Sequence, residues 1–140
     1  MFRKPILLVV IFFILIGVSG CQNAPAVGSA QDVNQIEILQ GEGFQENKPV
    51  VKTFSGEEQI EAIVKAIKAS AKMDGALDVT EPPYALKLYY ENGETKTYHL
   101  WVEKSGINYY GMIMDVEDTH TGYKLTEESV KVLLELIEQT

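Results

Sequence analysis

A cluster of reactive side chains lies near the end of this sequence. It holds three carboxylates and an imidazole within six residues: Asp115, Glu117, Asp118 and His120. Such groups bind metal ions or transfer protons, but a calcium loop requires glycine at position 6 and glutamate at position 12. Counted from Asp115 those positions are His120 and Thr126, and zinc prefers more histidines or cysteines than the 2 and 1 present. We therefore predict a charged strand end and turn, with no metal.

Motifs for covalent catalysis and phosphate binding are missing from the sequence. It contains no G-x-S-x-G, no GxxxxGK[ST] and no GxGxxG. The 20 acidic residues make chance carboxylate pairs unavoidable, so such pairs identify no glycosidase. We assign no catalytic residue and no cofactor. The enzymatic alternative is a small cell-surface hydrolase that uses carboxylates with His99 or His120.

The single cysteine, Cys21, directly follows a hydrophobic leader. Arg3 and Lys4 provide a positive start, residues 6–16 are all apolar, and Val18-Ser19-Gly20 precede the cysteine. This is the layout of a secretory signal, and the cysteine at the cut resembles a bacterial lipobox. The resemblance implies cleavage before Cys21 and its diacylation, and two acyl chains hold a protein stably on a membrane. The alternatives are an uncleaved transmembrane anchor, which needs about 20 apolar residues, and ordinary cleavage that leaves a free thiol.

The sequence divides into a signal peptide (1–20), a lipidated cysteine with a flexible tether (21–35) and a single domain (36–140). The tether is rich in Ala, Gly, Ser, Asn and Gln. Loss of the signal removes two basic residues, which leaves 10 basic against 20 acidic side chains. That charge opposes binding to nucleic acid or an anionic surface. We expect the domain at the outer face of the cytoplasmic membrane, with the membrane as its partner through the lipid on Cys21.

The first half of the domain predicts two strands and a helix. Ile36 and Ile38, with Phe44 further on, indicate the first strand, and the β-branched residues of 50–54 indicate the second. Ser55 and Glu58 have the spacing of a capping box. An apolar stripe follows at helical spacing, and Asp74-Gly75 predict the end of the helix. Its members are Ile60, Ile63, Val64, Ile67 and Ala71.

The second half predicts a hairpin, a long strand, a short strand and a final helix. A three-residue hairpin loop over 91–93 pairs Leu86 with Tyr98 and gathers the apolar residues on one face. Residues 107–116 and 123–125 form the next strands, and Thr126 caps the last helix. The fold class is α+β, an antiparallel sheet in the order β-β-α-β-β-β-β-α with two helices packed on one face.

This hairpin register places an aromatic surface on the sheet face away from the helices. Tyr89, His99 and Trp101 lie there, and exposed aromatic patches often mark interaction sites. The alternative is that strand 50–54 or the tether folds over these residues and buries them. We take the three residues as the candidate binding surface for a protein or small-molecule ligand.

Several short stretches resemble those of small Gram-positive lipoproteins with a YhfM-like domain. They include Phe54-Ser55-Gly56, residues 84–90, Tyr98-His99-Leu100-Trp101-Val102, Gly106 and Tyr123-Lys124-Leu125. The resemblance covers about residues 34–140 and implies a lipid-anchored extracytoplasmic domain, with no catalytic residue attached. Together with the missing motifs, it favours a non-enzymatic binding or accessory domain over the hydrolase.

Overall fold

A computed structural model describes residues 23–41, 43–45, 47–75 and 77–139, so the predicted signal and Cys21 lie outside the described residues. Within these ranges the chain forms one seven-stranded antiparallel sheet in the order β2-β1-β4-β5-β6-β7-β3, with two helices. The elements are β1 (Val33–Gln40), β2 (Val50–Phe54), α1 (Glu57–Lys68), β3 (Ala71–Lys72), β4 (Tyr84–Tyr90), β5 (Thr95–Ser105), β6 (Asn108–Asp115), β7 (Gly122–Lys124) and α2 (Glu127–Glu138). A short 3-10 helix over Ala30–Asp32 precedes β1. The predicted α+β class is confirmed; the short β3 is an addition to the predicted order.

Both helices cover one side of the sheet, which we call the helix face. They contact each other, and their apolar stripes pack against the inward side chains of β1, β4, β5 and β6. The core residues include Ile36, Ile38, Ile63, Ile67, Leu86, Leu88, Tyr98, Leu100, Ile113, Val130 and Leu133. No helix within the described ranges is long and apolar enough to cross a membrane.

The hairpin between β4 and β5 has the predicted register. Leu86 pairs with Tyr98, and Tyr84 pairs with Leu100. Gly93 closes the three-residue loop with a φ of 87°, a conformation that glycine adopts without the strain a side chain would bring. The register is therefore set jointly by the buried apolar face and the turn.

The predicted ends of α1 are wrong at both sides. The helix begins after Gly56, whose extended backbone serves as the N-cap without any side-chain hydrogen bond, so the Ser55–Glu58 capping box does not form. It ends at Lys68, where the Ser70 hydroxyl donates to the carbonyl of Ile67. Ala71 then joins β3 and pairs with β7. The final helix behaves as predicted, because the Thr126 side chain accepts from the Ser129 amide at 3.1 Å.

The segment before β1 lies along the domain, which differs from the flexible tether predicted for residues 21–35. Val27 is 1% exposed within the core, and its carbonyl accepts a 2.6 Å hydrogen bond from Tyr90 Oη. The Asn23 carbonyl accepts from the Lys72 amide at 2.7 Å. Sequence composition missed this because the segment is held at a few points only, by the buried side chains of Pro25 and Val27 and by these two hydrogen bonds.

Candidate functional site

Loops rather than helices cover the opposite side of the sheet, which we call the loop face. Its buried side chains lie outside the main core cluster: Leu39, Ala85, His99, Met112 and Met114. Described residues of two segments pass over it, which we call the first loop (41–49) and the second loop (73–83). Phe44 of the first loop and Leu77 of the second line a cleft of about 360 Å³ together with His99 and Met114. The sequence alternative that something folds over this face is thus realised, but by these loops and not by β2 or the tether.

His99 lies beneath the first loop. Its side chain is 2% exposed, and its ring makes an edge contact with Phe44 at a centroid distance of 5.2 Å and with Trp101 at 6.2 Å. Phe44 itself is 47% exposed. The surface that a partner would meet at this position is therefore Phe44, with His99 as the support below it.

Trp101 is the candidate residue that remains partly exposed next to a concave surface. Its indole Nε1 donates to the carbonyl of Thr80 at 3.0 Å, which ties the second loop to β5. Two clefts of about 470 and 390 Å³ share Thr80, Trp101 and Glu103 among their lining residues. We call these two clefts together the Trp101 groove. A hydrogen-bonded indole between two clefts is held in place before any partner arrives.

Lys48 joins the two loops, and its sequence context does not mark it as a functional residue. Its side chain is 7% exposed, and Nζ donates to the carbonyl of Pro82 at 2.8 Å. Burial lowers the pKa of this amine, and the negative charge of Glu81 partly opposes the shift. A single lysine in a polar loop has no periodicity, so no sequence signal could have identified it as a buried group.

Tyr89 shares the face of His99 and Trp101 but not their neighbourhood. It lies four residues along β4 from Ala85, the partner of His99, which separates the two positions by about 13 Å. Its hydroxyl donates to Glu37 at 2.7 Å, and this hydrogen bond, with a smaller contribution from burial, raises the pKa of Tyr89. The structure thus brings together two of the three predicted surface residues.

The acidic cluster near the end of β6 forms the charged strand end and turn that its sequence predicts. Asp115 pairs with Lys96 Nζ at 2.8 Å and accepts the Glu117 amide at 2.9 Å. Asp118 accepts the amide of His120 at 3.3 Å. Across the part of the chain that the structure describes, no three His, Cys, Asp or Glu side chains are placed to hold a metal ion.

Comparison with known proteins gives one match. The family model described as YhfM protein matches residues 31–140, close to the 34–140 that the sequence resemblance covers. No curated protein matches the chain, and no solved structure matches it. The match therefore covers every strand and both helices of the fold, and it includes Trp101.

Proposed function

We propose that this chain, which belongs to the YhfM family, is a non-enzymatic binding domain. It is anchored through lipid on Cys21 at the outer face of the cytoplasmic membrane, and it holds a protein ligand in the Trp101 groove. The observation that carries this proposal is the position of Trp101, partly exposed between two clefts and fixed by its hydrogen bond to Thr80.

A fixed aromatic side chain in a cleft is the kind of anchor on which protein interfaces depend. Tryptophan is enriched among the few residues that contribute most of the binding energy, and these residues sit in pockets that exclude water. Because Trp101 is already held by Thr80, a partner would lose little side-chain freedom on burying it. Phe44, 47% exposed and 6.4 Å from Trp101 between ring centroids, extends the apolar surface.

The N-terminal segment supports a domain held close to the membrane. Asn23 is hydrogen-bonded to Lys72 at the β3 edge of the sheet, and only Gln22 separates it from Cys21. Two residues span at most about 7 Å. A lipid on Cys21 would therefore place this edge next to the bilayer surface, without the long reach that a free tether would give.

The hydrolase alternative receives no comparable support from the described residues. His99 lies beneath Phe44, and His120 is exposed in the turn after β6. The carboxylates nearest to His120 in sequence accept backbone amides or pair with Lys96. A binding role requires no group beyond the side chains that line the Trp101 groove.

Site-specific photo-cross-linking in the native membrane tests the proposal. A photoreactive phenylalanine analogue would replace Tyr110, which is 52% exposed and lines the groove, or Tyr89 as the matched position at the other end of the same face. We expect a discrete protein adduct from position 110 that is lost with Trp101→Ala, and none from position 89. An adduct at position 110 that survives Trp101→Ala, or none at all, would contradict the proposed site.

The anchor is tested separately in the same cells. The wild-type chain should incorporate labelled palmitate and remain with the membrane fraction, whereas Cys21→Ala should do neither. Unchanged labelling of Cys21→Ala would refute lipidation at this residue without affecting the groove.

A further inference from the structure

Two neighbouring strands, β5 and β6, build the aromatic surface of the Trp101 groove. Trp101 and Glu103 of β5 pair directly with Met112 and Tyr110 of β6, and all four side chains are on the loop face. They line one cleft of about 390 Å³. Met112 is buried at its base, while Tyr110 and Glu103 are exposed. A carboxylate thus lies beside two aromatic side chains, above an apolar floor.

The charge of the groove is negative. Among the described residues that line its two clefts are three carboxylates, Asp78, Glu81 and Glu103, and one lysine, Lys124. Lys48 is close to Glu81, but its amine points to the Pro82 carbonyl and is buried. The acidic lining continues the sign of the whole chain, whose formal charge is −8.

We propose that this cleft binds a lysine side chain of a basic, extended peptide segment in the partner protein. This inference rests on the proposed function and adds the chemistry of the ligand. A lysine combines an aliphatic stem with a terminal ammonium. The stem fits the floor at Met112, and the ammonium is attracted both by the faces of Trp101 and Tyr110 and by the carboxylate of Glu103.

The shape of the groove favours a peptide over a small amine. The clefts of about 470 and 390 Å³ share Thr80, Trp101 and Glu103, so they lie next to each other beside the same indole. A ligand that occupies both must be extended. The net negative charge of the chain would steer such a basic segment toward the surface at low ionic strength.

Fluorescence of Trp101 reports directly on the cleft, because it is the only tryptophan in the chain. The full-length protein, reconstituted in detergent, would be titrated with the blocked peptide Gly-Lys-Gly-Lys-Gly and with the same peptide acetylated on both lysines. The two peptides share their backbone and stems and differ in the ammonium charge. We expect saturable binding of the first and affinity at least about tenfold lower for the second.

A matched pair of charge-removing variants locates the interaction. Glu103→Gln keeps the shape of the cleft and should weaken binding of the lysine peptide about five- to tenfold, since it removes the carboxylate that pairs with Tyr110 across the strands and lies two residues from Trp101. Glu61→Gln removes the same charge from the exposed surface of α1, on the other side of the sheet, and should leave the affinity unchanged. Both positions are exposed, so both variants are expected to fold.

Each other outcome overturns the inference in a distinct way. Equal affinity for the acetylated peptide shows that the groove does not recognise charge, and equal losses in Glu103→Gln and Glu61→Gln show only nonspecific attraction. No response to the lysine peptide, or a response to a neutral oligosaccharide instead, also refutes it. A protein adduct at position 110 in any of these cases would still support the proposed binding function. Peptide binding without such an adduct would support recognition of lysine by the cleft but contradict a protein as the partner in the membrane.

Discussion

The two faces of the sheet are closed in different ways. On the helix face, α1 and α2 present apolar side chains at regular spacing, and the core between them and the sheet is continuous. On the loop face, two irregular segments are joined by hydrogen bonds from Lys48 to Pro82 and from the Gly41 amide to Pro83, and Trp101 of β5 binds the second loop at Thr80. The helix face is therefore closed by continuous packing, whereas the loop face leaves aromatic side chains and clefts within reach of a partner.

The largest expected effect is on the free energy of unfolding, when alanine replaces one glycine on each face. A Cβ at Gly111 would lie 2.6 Å from Val130 Cγ2 of α2 and 2.9 Å from the backbone carbonyl of Trp101, neither of which can move freely. A Cβ at Gly122 would instead meet the flexible ends of Leu77 and Met112, at 2.8 and 2.9 Å. We expect Gly111→Ala to lower the free energy of unfolding by about 3 kcal/mol and Gly122→Ala by about 1 kcal/mol or less.

Urea unfolding of the two variants beside the wild type measures this difference. The helix face is expected to resist the added methyl because its contacts are packed on all sides, while the second loop can shift away from the sheet. Equal losses for both variants would mean that the loop face is packed as rigidly as the helix face. The comparison on which the binding proposal depends would then fail.

The same contrast explains what could be predicted from the sequence. The strands and the stripes of both helices repeat with a fixed period, so their residues could be placed on faces, and the hairpin register followed from the buried side. Ala71 continued the stripe of α1 by position alone, yet it lies beyond the helix end in β3. Periodicity shows which face a residue shares; it does not show where an element stops.

The loop face lies beyond such reasoning for a physical reason. Phe44, Lys48 and Leu77 cover it from segments without a repeat, and each is placed by a tertiary contact that no local pattern encodes. Tyr89 was grouped with Trp101 because both point to the same side, but the register separates them along the strands. In both cases the sequence did not show where a residue lies along the strands or which segment covers the sheet.

A smaller effect is expected from loosening the second loop alone. Trp101→Phe keeps an aromatic ring but removes the hydrogen bond to Thr80, whose loss should cost about 1 kcal/mol. Amide protons of residues 77–81 should then exchange faster, while those of α1 and α2 keep their protection. Tyr89→Phe, which removes the hydrogen bond to Glu37, is the control and should leave exchange in this loop unchanged.

Hydrogen exchange measured by mass spectrometry distinguishes two pictures of the loop face. Faster exchange confined to the second loop supports a cover that opens independently of the domain. Uniformly faster exchange across the sheet and helices would show instead that the loop is part of the cooperative core. In that case the two faces would not differ in the way proposed.

The smallest expected effect concerns the buried amine that joins the two loops. Burial lowers the pKa of Lys48 below its ordinary value of 10.5, so the folded state binds fewer protons than the unfolded state just below that pH. Its contribution to stability therefore rises with pH up to 10.5 and is lost as pH falls through the lowered pKa. Lys48→Met keeps the buried stem but cannot titrate, so the wild type should gain stability relative to this variant as pH rises toward 10.5.

Two variants must be compared because the buried tyrosines change the free energy of unfolding with pH in the opposite direction to Lys48. Burial raises the pKa of Tyr90 and Tyr98, which makes the folded state of every variant less stable above pH 10. These contributions cancel when Lys48→Met is compared with Lys68→Met, an exposed α1 lysine that corrects for the change in net charge. The measurement is urea unfolding from pH 8 to 10.5. As pH rises, Lys68→Met, which retains Lys48, should gain free energy of unfolding relative to Lys48→Met. Parallel profiles would mean that the amine stays solvated, and that the burial of Lys48 does not help to hold the two loops together.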